Sequence, residues 1–324
     1  MDGTLPSAVA RPNLEAEVES LRLRLGGHIR HTPLMTVNGA DLRLPPGHLA
    51  LKLEQLQFAA TFKTRAVFAE LLTEGAVTSR SITVASQGNY GVAVAYAAQR
   101  LQLKARIFVP DGVPRVKLAR IRGYGAEIVT AGRRARDVLA AQQRWVDATG
   151  AHVLRAGSPR AMLGCATLAP EIDEDCAGDT VLATLLVPVG GGGLIAGRAL
   201  GARPGLRLIG VEPLRAPTLS NALSAGTAVT ITPTGIAVDT LGSRRVCSSV
   251  LEVARRRVDQ VVLVSDAAIL NAQRALWSEL RLLVESGAAV GIAALQSGAF
   301  RPAVGERVGV LLTGANAVAA DTLR

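Results

Sequence analysis

The sequence predicts an α/β protein built from parallel β-sheets that are covered by helices on both faces. Short runs of β-branched and leucine residues alternate with segments of helical periodicity along most of the 324-residue chain. Repeated strand–helix units are typical of parallel sheets, because each crossover helix covers one face of the sheet. Hydrophobic residues form 49% of the chain, which is enough for one large or two ordinary α/β domains.

The first half opens with a helix and then alternates. Asn13 is the predicted cap of this helix, whose apolar face ends before Gly26-Gly27; the face consists of Leu14, Val18, Leu21 and Leu25. The elements predicted after it are a strand over 49–53, a helix from 63 to 72, a strand over 82–85, a helix over 89–101, a strand over 107–109, a helix over 114–122, a strand over 128–129 and a helix over 135–148.

The second half repeats the alternation. Strands are predicted over 181–187, 208–211, 261–264 and 308–312, and a helix over 194–200 follows a run of glycines. Asp266 is the predicted cap of a long helix that runs towards Glu285.

Composition excludes several classes of protein. No apolar run approaches the roughly 20 residues of a membrane-spanning helix, and residues 1–13 lack the charged-then-apolar pattern of a signal peptide. We therefore expect a cytoplasmic protein that does not associate with membranes. The three cysteines, Cys165, Cys176 and Cys247, are odd in number and widely spaced, which argues against a disulfide framework or a zinc site.

The net charge of +10 is compatible with nucleic-acid binding, the alternative from another class of function. The basic residues are mostly scattered arginines, however, and aromatic residues that would stack on bases form only 3% of the chain. A solvated, arginine-rich surface is the better interpretation, so we expect no nucleic-acid partner.

A glycine run marks the first candidate site. Residues 190–193 are all glycine and join a predicted strand to a predicted helix. This arrangement places unpaired backbone N–H groups at a helix N-terminus, where amides and helix dipole both favour a phosphate. A turn without a ligand is the alternative. The run lacks the spacing of a nucleotide-binding loop, so a nucleotide is not the obvious source of the phosphate.

Lysine is scarce, which draws attention to Lys63. The chain contains only Lys52, Lys63, Lys104 and Lys117, and Lys63 alone stands at a strand-to-helix junction between threonines. A lysine at a helix start is usually a surface charge. Beside a phosphate loop, however, a reactive amine is what pyridoxal phosphate requires, since this cofactor carries an aldehyde and a 5′-phosphate.

Two further loops follow predicted strands. Ser86 and Asn89 offer hydrogen-bond donors to a substrate carboxylate, although a plain helix cap is an equally good explanation. Thr313 offers a neutral hydroxyl to a ring nitrogen, although a plain turn is the simpler explanation of this segment alone.

Together these segments resemble the fold-type II pyridoxal-phosphate enzymes, in which they occur in the same order. The matching segments are Thr61-Phe62-Lys63-Thr64-Arg65, Ser86-Gln87-Gly88-Asn89, the 190–193 run and Thr313-Gly314-Ala315-Asn316. The chain most closely resembles the threonine/serine dehydratases, with further matches from Thr32 onward. The resemblance implies a fold like that of the tryptophan synthase β-subunit. It also implies a large cofactor-binding domain of residues 1–75 and 160–324 and a small mobile domain of residues 76–159.

The resemblance implies pyridoxal 5′-phosphate as cofactor and a role for each residue that surrounds it. Lys63 would form the Schiff base and remove the substrate's α-proton, with Phe62 beside the ring. Asn89 would bind the 3′-oxygen, Thr313 would meet the ring nitrogen, and Glu285 would lie near the ring. The phosphate would be held by Gly190, Gly191, Gly192, Gly193 and Leu194.

The substrate carboxylate would be bound by Ser86, Gln87 and Asn89. Here the chain departs from the family, because Tyr90 stands where many dehydratases have histidine.

Other departures lie outside this loop. Ala66 replaces a usual glycine, and residues 164–167 read Gly-Cys-Ala-Thr instead of Gly-Gln-Gly-Thr. Relatives that bind a divalent cation use a glutamate and a following aspartate, but Glu212 is followed by Thr218 at the aspartate's place. No metal site is therefore assigned.

The resemblance implies β-elimination from a β-hydroxy amino acid, L-threonine or L-serine first, to a 2-oxo acid and ammonia by a homo-oligomer, expected to be a dimer. The alternatives are β-replacement, as in cysteine synthesis, and racemisation. A racemase needs an acid/base on each face of the ring. Relatives that racemise present a serine where Gln87 stands, and an amide cannot exchange a proton usefully near neutral pH.

Overall fold

Two β-sheets form the frame of the protein. The computed structural model describes residues 13–45, 47–73, 79–86, 88–113, 115–176 and 178–316. Its strands are β1 (Leu34–Asn38), β2 (His48–Lys52), β3 (Ser81–Ala85), β4 (Lys104–Val109), β5 (Glu127–Thr130), β6 (His152–Val153), β7 (Thr184–Pro188), β8 (Arg207–Pro213), β9 (Gln260–Val264) and β10 (Val308–Leu311).

The helices occupy most of the intervals between these strands. They are α1 (Leu14–Leu25), α2 (Lys63–Leu72), α3 (Asn89–Arg100), α4 (Arg115–Gly123), α5 (Ala135–Thr149), α6 (Pro159–Ala166), α7 (Leu168–Asp175), α8 (Gly193–Leu200), α9 (Thr218–Ala225), α10 (Val238–Leu241), α11 (Ser248–Arg257), α12 (Asp266–Leu280) and α13 (Ser286–Gln296).

Strand order separates the two sheets along the chain. The larger sheet has the order β1-β2-β10-β7-β8-β9, and the smaller one, formed entirely within residues 81–153, has the order β5-β4-β3-β6. All neighbours are parallel except β1 and β2, which are antiparallel. The predicted α/β class is confirmed, while the proposed domain boundaries and the mobility of the smaller domain stay predictions.

Alternating side chains of the larger sheet enter two separate cores, as a sheet buried on both faces requires. Leu185 and Val187 pack in one apolar cluster with helix α8, whereas Leu186 between them packs in a second cluster with α12 and α13. Helices therefore cover both faces of this sheet.

The parallel pairing brings distant loops to one edge of the larger sheet. Strand β10 pairs in parallel with β2 on one side and with β7 on the other. The loops after these three strands therefore leave from the same edge, and they contain the segments around Lys63, Thr313 and the glycine run. Backbone contacts fasten the first two together, because the Phe62 N–H donates to the Thr313 carbonyl at 3.1 Å.

Several predicted elements differ from the structure. Strand β7 begins at Thr184 rather than Val181, and Asn13 makes no side-chain capping bond to α1. The cap of α12 is Ser265, not Asp266, because the Ser265 hydroxyl accepts from the Ala268 amide.

The predicted long helix is also interrupted. Helix α12 ends at Leu280, and a separate helix, α13, begins at Ser286 with Glu285 as its N-terminal cap residue. Strands β1 and β6 and helices α6, α7, α9, α10, α11 and α13 had not been predicted. Within the described ranges, no helix combines the length and hydropathy needed to cross a membrane.

Candidate active site

A single cavity brings together every residue that the sequence assigned to the cofactor. Its lining includes Phe62, Lys63, Asn89, Gly190, Gly191, Gly192, Gly193, Leu194, Glu285 and Thr313. It lies where the loops after β2, β7 and β10 meet the start of α3. Pro188, Thr240, Leu241 and Ala288 complete the lining, and the sequence assigned none of these four to the cofactor.

Lys63 is the first residue of α2, and it is partly buried in this cavity. Its amine lies 4.4 Å from the centre of the Phe62 ring, and within the described residues it makes no hydrogen bond or ion pair. Desolvation lowers the pKa of Lys63, which favours the neutral amine over the ammonium. The neutral form is the one that attacks an aldehyde or accepts a proton.

The other three lysines are placed differently. Lys52 is fully buried and forms ion pairs with Glu171 and Asp175, each at 2.8 Å. Lys117 is buried beside Asp239 at 2.8 Å, and Lys104 is exposed on β4. Among the four, Lys63 is the one that lines the cavity without a carboxylate partner.

The glycine run contributes a row of backbone donors to the cavity lining. The amides from Gly190 to Leu194 donate no hydrogen bond within the described part of the chain, and the first helical bond of α8 comes from Ala196 to the Gly192 carbonyl. Unpaired amides at a helix N-terminus, together with the helix dipole, bind an anion.

Glycine is required at Gly192 for two reasons. Its φ of +78° lies in the left-handed region, and a Cβ there would lie 2.5 Å from a methyl group of Val250. A Cβ on Gly190 would meet the Leu241 backbone at 3.0 Å, whereas one on Gly191 would lie 3.3 Å from the Ser243 hydroxyl. A side chain is therefore most strongly excluded at Gly192 and least strongly at Gly191.

Asn89 connects the smaller sheet to the cavity wall. It is the first residue of α3, and its Nδ2 donates to Oε2 of Glu285 at 2.5 Å. Its Oδ1 accepts from Nδ2 of Asn316 at 3.0 Å. The Asn89 amide is therefore held on both sides.

Glu285 is a buried carboxyl group with a nearby cation. Burial raises its pKa, while Lys117, whose Nζ lies 3.3 Å from Oε1, and the Asn89 hydrogen bond act in the opposite direction. Lys117 also contacts Asp239 at 2.8 Å, so one buried lysine serves two carboxylates. The sequence marked Glu285 but gave no signal for Lys117, which resembles an ordinary surface lysine until the chain is folded.

Thr313 lies two residues after the end of β10, is 7% exposed and lines the same cavity. The next residue, Gly314, has no room for a side chain, because a Cβ would lie 2.4 Å from Oε2 of Glu285. The close approach explains the glycine of this motif.

The predicted substrate loop is only partly described. Ser86 is outside the lining of the cofactor cavity but lines the two neighbouring clefts. Its Oγ accepts from the amides of Gly88, at 3.4 Å, and Gly91, at 3.2 Å, and so caps α3. Gln87 lies outside the described residues.

Glu212, which the sequence compares with a glutamate of cation-binding relatives, acts as a helix cap. Its carboxylate accepts from the amides of Leu219, at 2.7 Å, and Ser220, at 2.9 Å, at the start of α9. It is fully buried, and desolvation raises its pKa to about 7.

Residues 25–314 match the family model described as pyridoxal-phosphate dependent enzyme. The chain belongs to this family. The match spans both sheets and every described residue of the cavity lining. The cavity is therefore compared with a site that binds pyridoxal phosphate.

Individual relatives have more specific names. The chain is 35% identical to a phenylserine dehydratase from Ralstonia pickettii, over 97% of this chain and 96% of the relative. It is 32% identical to an L-threonine ammonia-lyase from Geobacter sulfurreducens, over 90% and 73% of the two chains. The structure of maize serine racemase superposes with a TM-score of 0.86 at 26% identity, covering 95% of this chain and 94% of the other.

The residues of the cavity fit pyridoxal phosphate. The phosphate requires anion-binding donors, which the unpaired amides from Gly190 to Leu194 provide. The aldehyde requires an uncharged amine, and the desolvated Lys63 lies in the same cavity. Asn89 and Thr313 add polar groups between these two ends.

Proposed function

We propose that this protein is a pyridoxal-phosphate-dependent ammonia-lyase that removes the β-hydroxyl of an amino acid and releases a 2-oxo acid and ammonia. The observation that carries the proposal is the unpaired, desolvated amine of Lys63 in one cavity with a row of unpaired amides. The names of the dehydratase and ammonia-lyase relatives support the same reaction.

The chain's own groups would hold the cofactor at three points. The amides from Gly190 to Leu194 would bind the phosphate, Lys63 would bind the aldehyde carbon, and Asn89 would donate to the ring's 3′-oxygen. When bound, pyridoxal phosphate withdraws electrons from the substrate's α-carbon and so stabilises negative charge there.

Lys63 would then act as the base. Because desolvation lowers its pKa, its amine is suited to accept the α-proton near neutral pH. Thr313 offers the ring nitrogen a neutral hydroxyl, which does not hold a proton on that nitrogen as a carboxylate would. This moderates the charge withdrawn into the ring and favours prompt loss of the β-hydroxyl.

Ser86 would combine two roles in binding the substrate carboxylate. Its oxygen already accepts from the amides of Gly88 and Gly91, so its own O–H stays available to donate. The start of α3 therefore offers a hydroxyl and a helix dipole to the carboxylate, and Asn89 and Gln87 would complete this loop.

The test is a product assay on the purified holoenzyme with L-threonine, L-serine and phenylserine as separate substrates. We expect equal amounts of 2-oxo acid and ammonia without a second substrate. A requirement for a thiol or sulfide would identify β-replacement instead, and absence of a cofactor absorbance band combined with salt-dependent retention on DNA would favour a nucleic-acid binder.

Three finer features of the molecule belong to the same proposal. We infer a small-molecule amino-acid substrate, a homodimer and a cytoplasmic location, supported by the resemblance to the dehydratases. Sedimentation analysis of the holoenzyme measures the oligomeric state, and a monomer would contradict the homodimer.

A further inference from the structure

A chain of hydrogen bonds, all donated in the same direction, passes through Asn89. Nη1 of Arg120 donates to Oδ1 of Asn316 at 2.5 Å, Nδ2 of Asn316 donates to Oδ1 of Asn89 at 3.0 Å, and Nδ2 of Asn89 donates to Glu285 at 2.5 Å. Four side chains from four separate segments therefore form one continuous path.

The two ends of this path determine its direction. A guanidinium can only donate hydrogen bonds, and an ionised carboxylate can only accept them. Arg120 therefore requires the oxygen of Asn316 to face it, which turns Nδ2 of Asn316 towards Asn89. Nδ2 of Asn316 also donates to the Ala59 carbonyl at 3.0 Å, and this second bond excludes the flipped amide.

The same logic applies to Asn89. With its oxygen occupied by Asn316 and one N–H directed to Glu285, its amide retains a single free N–H. A flipped Asn89 would set its oxygen against the Glu285 carboxylate and its N–H groups against those of Asn316. Both contacts would be repulsive.

Helix α4 supplies the cation at each end of this arrangement. Lys117 and Arg120 are three residues apart and so lie on the same side of the helix. Lys117 approaches Glu285 at 3.3 Å, and Arg120 binds Asn316, which is 1% exposed. Both partners belong to the part of the chain outside the smaller sheet, so α4 connects the smaller sheet's unit to both neighbours of Asn89.

We propose that Arg120 and Asn316 are positioning residues, which fix the amide of Asn89 so that it presents a donor, not an acceptor, to the cofactor's ring oxygen. This inference rests on the proposed function, because it takes Asn89 to face the ring. It assigns a purpose to Asn316, which ends the Thr313 motif, and to an arginine that no motif includes.

The test compares Arg120→Met and Asn316→Asp with Arg122→Met, a matched control on the exposed side of the same helix. Asn316→Asp keeps the shape but replaces the donor to Asn89 with an acceptor. We expect the dissociation constant for pyridoxal phosphate to rise about threefold to tenfold in Arg120→Met and at least about tenfold in Asn316→Asp, as the loss of a charge-assisted bond and a forced flip imply.

A spectroscopic readout separates positioning from general weakening of the fold. The visible band of the bound cofactor and its pH midpoint should shift in both variants and stay unchanged in Arg122→Met, because the ring oxygen loses its donor only in the first two. In addition, Arg120→Met should have little further effect in an Asn316→Leu background if Arg120 acts through Asn316.

The outcomes distinguish this inference from the proposed function. If both variants keep the wild-type cofactor affinity and an unshifted absorbance band, the positioning role is overturned. That result would leave the proposed function standing, because labelling of Lys63 tests it separately. Reduction of the wild-type holoenzyme that labels a different lysine would overturn the proposed function itself. If Asn316→Asp does not fold, Arg120→Met, at a partly buried position, decides the question.

Discussion

Arg65, in the first turn of the helix that begins at Lys63, forms a two-point ion pair with Glu54. Nε and Nη2 of Arg65 donate to the two carboxylate oxygens of Glu54 at 2.9 and 2.8 Å. Nη2 also contacts Glu171 at 2.8 Å, and none of the three residues is more than 3% exposed. The position of Lys63 therefore depends on charges that are shielded from water.

Removal of this guanidinium should strongly destabilise the protein. In Arg65→Met, Glu54 would keep only the Thr32 hydroxyl as a side-chain partner among the described residues, so a buried charge is left uncompensated. We expect a loss of about 3–5 kcal/mol in the free energy of unfolding, measured by urea denaturation. Arg136→Met, which removes an exposed pair with Asp137, should cost at most about 1 kcal/mol. Equal losses in both variants would contradict the structural role.

Lys63 is expected to carry the cofactor covalently. Borohydride reduction of the holoenzyme followed by peptide mapping should label Lys63, and Lys63→Ala should lower the elimination rate by at least about 10²–10⁴-fold. Label on Lys52, Lys104 or Lys117 would refute the assignment. Lys52 and Lys117 are unsuitable, because each amine is bound by carboxylates and neither lysine lines the cavity.

The glycine run should tolerate substitution unequally. In Gly192→Val the valine would have to adopt a left-handed backbone conformation and would collide with Val250. In Gly191→Val the new Cβ would closely approach only the Ser243 hydroxyl. Cofactor affinity should therefore be much lower in Gly192→Val than in Gly191→Val. Gly205→Val is the control, since Gly205 also has positive φ, at +83°, but lies outside the cavity lining. It should lower stability without weakening cofactor binding. Unchanged cofactor affinity in both Gly191→Val and Gly192→Val would contradict phosphate binding by the backbone amides of this loop.

Glu212 should make stability depend on pH. Burial raises its folded pKa to about 7 from an ordinary 4.5, so its stabilising contribution is full below pH 4.5 and is lost as pH rises to 7. Relative to Glu212→Gln, the wild type should therefore lose about 3 kcal/mol across this window, at about 1.4 kcal/mol per pKa unit. Urea denaturation at pH 5 and 8 measures the difference, with the exposed Glu279→Gln as control. A pH-independent difference would show that Glu212 ionises normally.

Elimination should be faster than racemisation. An amide such as that of Gln87 cannot return a proton to the α-carbon, so the β-hydroxyl should leave first. Incubation with L-serine should yield pyruvate with little D-serine, as followed by chiral chromatography. Gln87→Ser should increase D-serine formation relative to pyruvate. D-serine that forms as fast as pyruvate in the wild type would refute the argument.

The sequence by itself determined the features that depend on neighbouring residues. The order of strands and helices follows from hydrophobic periodicity, and the glycine run and Lys63 stand out because their local context is unusual. The ordered set of motifs was enough to name the family, and the structure places all the residues predicted to bind the cofactor in one cavity. Local patterns failed where two caps compete, as at Ser265 and Asp266, and where a helix stops without a strong breaker, as at Leu280.

Only the tertiary structure decided which of these segments meet and what surrounds them. The parallel register of β2, β10 and β7 sets the Lys63, Thr313 and glycine loops along one edge. The Arg120–Asn316–Asn89 path spans residues that are 196 and 227 positions apart in the chain. Lys117 was likewise indistinguishable from a surface lysine until the fold buried it beside Glu285. Contacts at such separations leave no local periodicity or spacing, because they arise only when sheet pairing fixes the position of each loop.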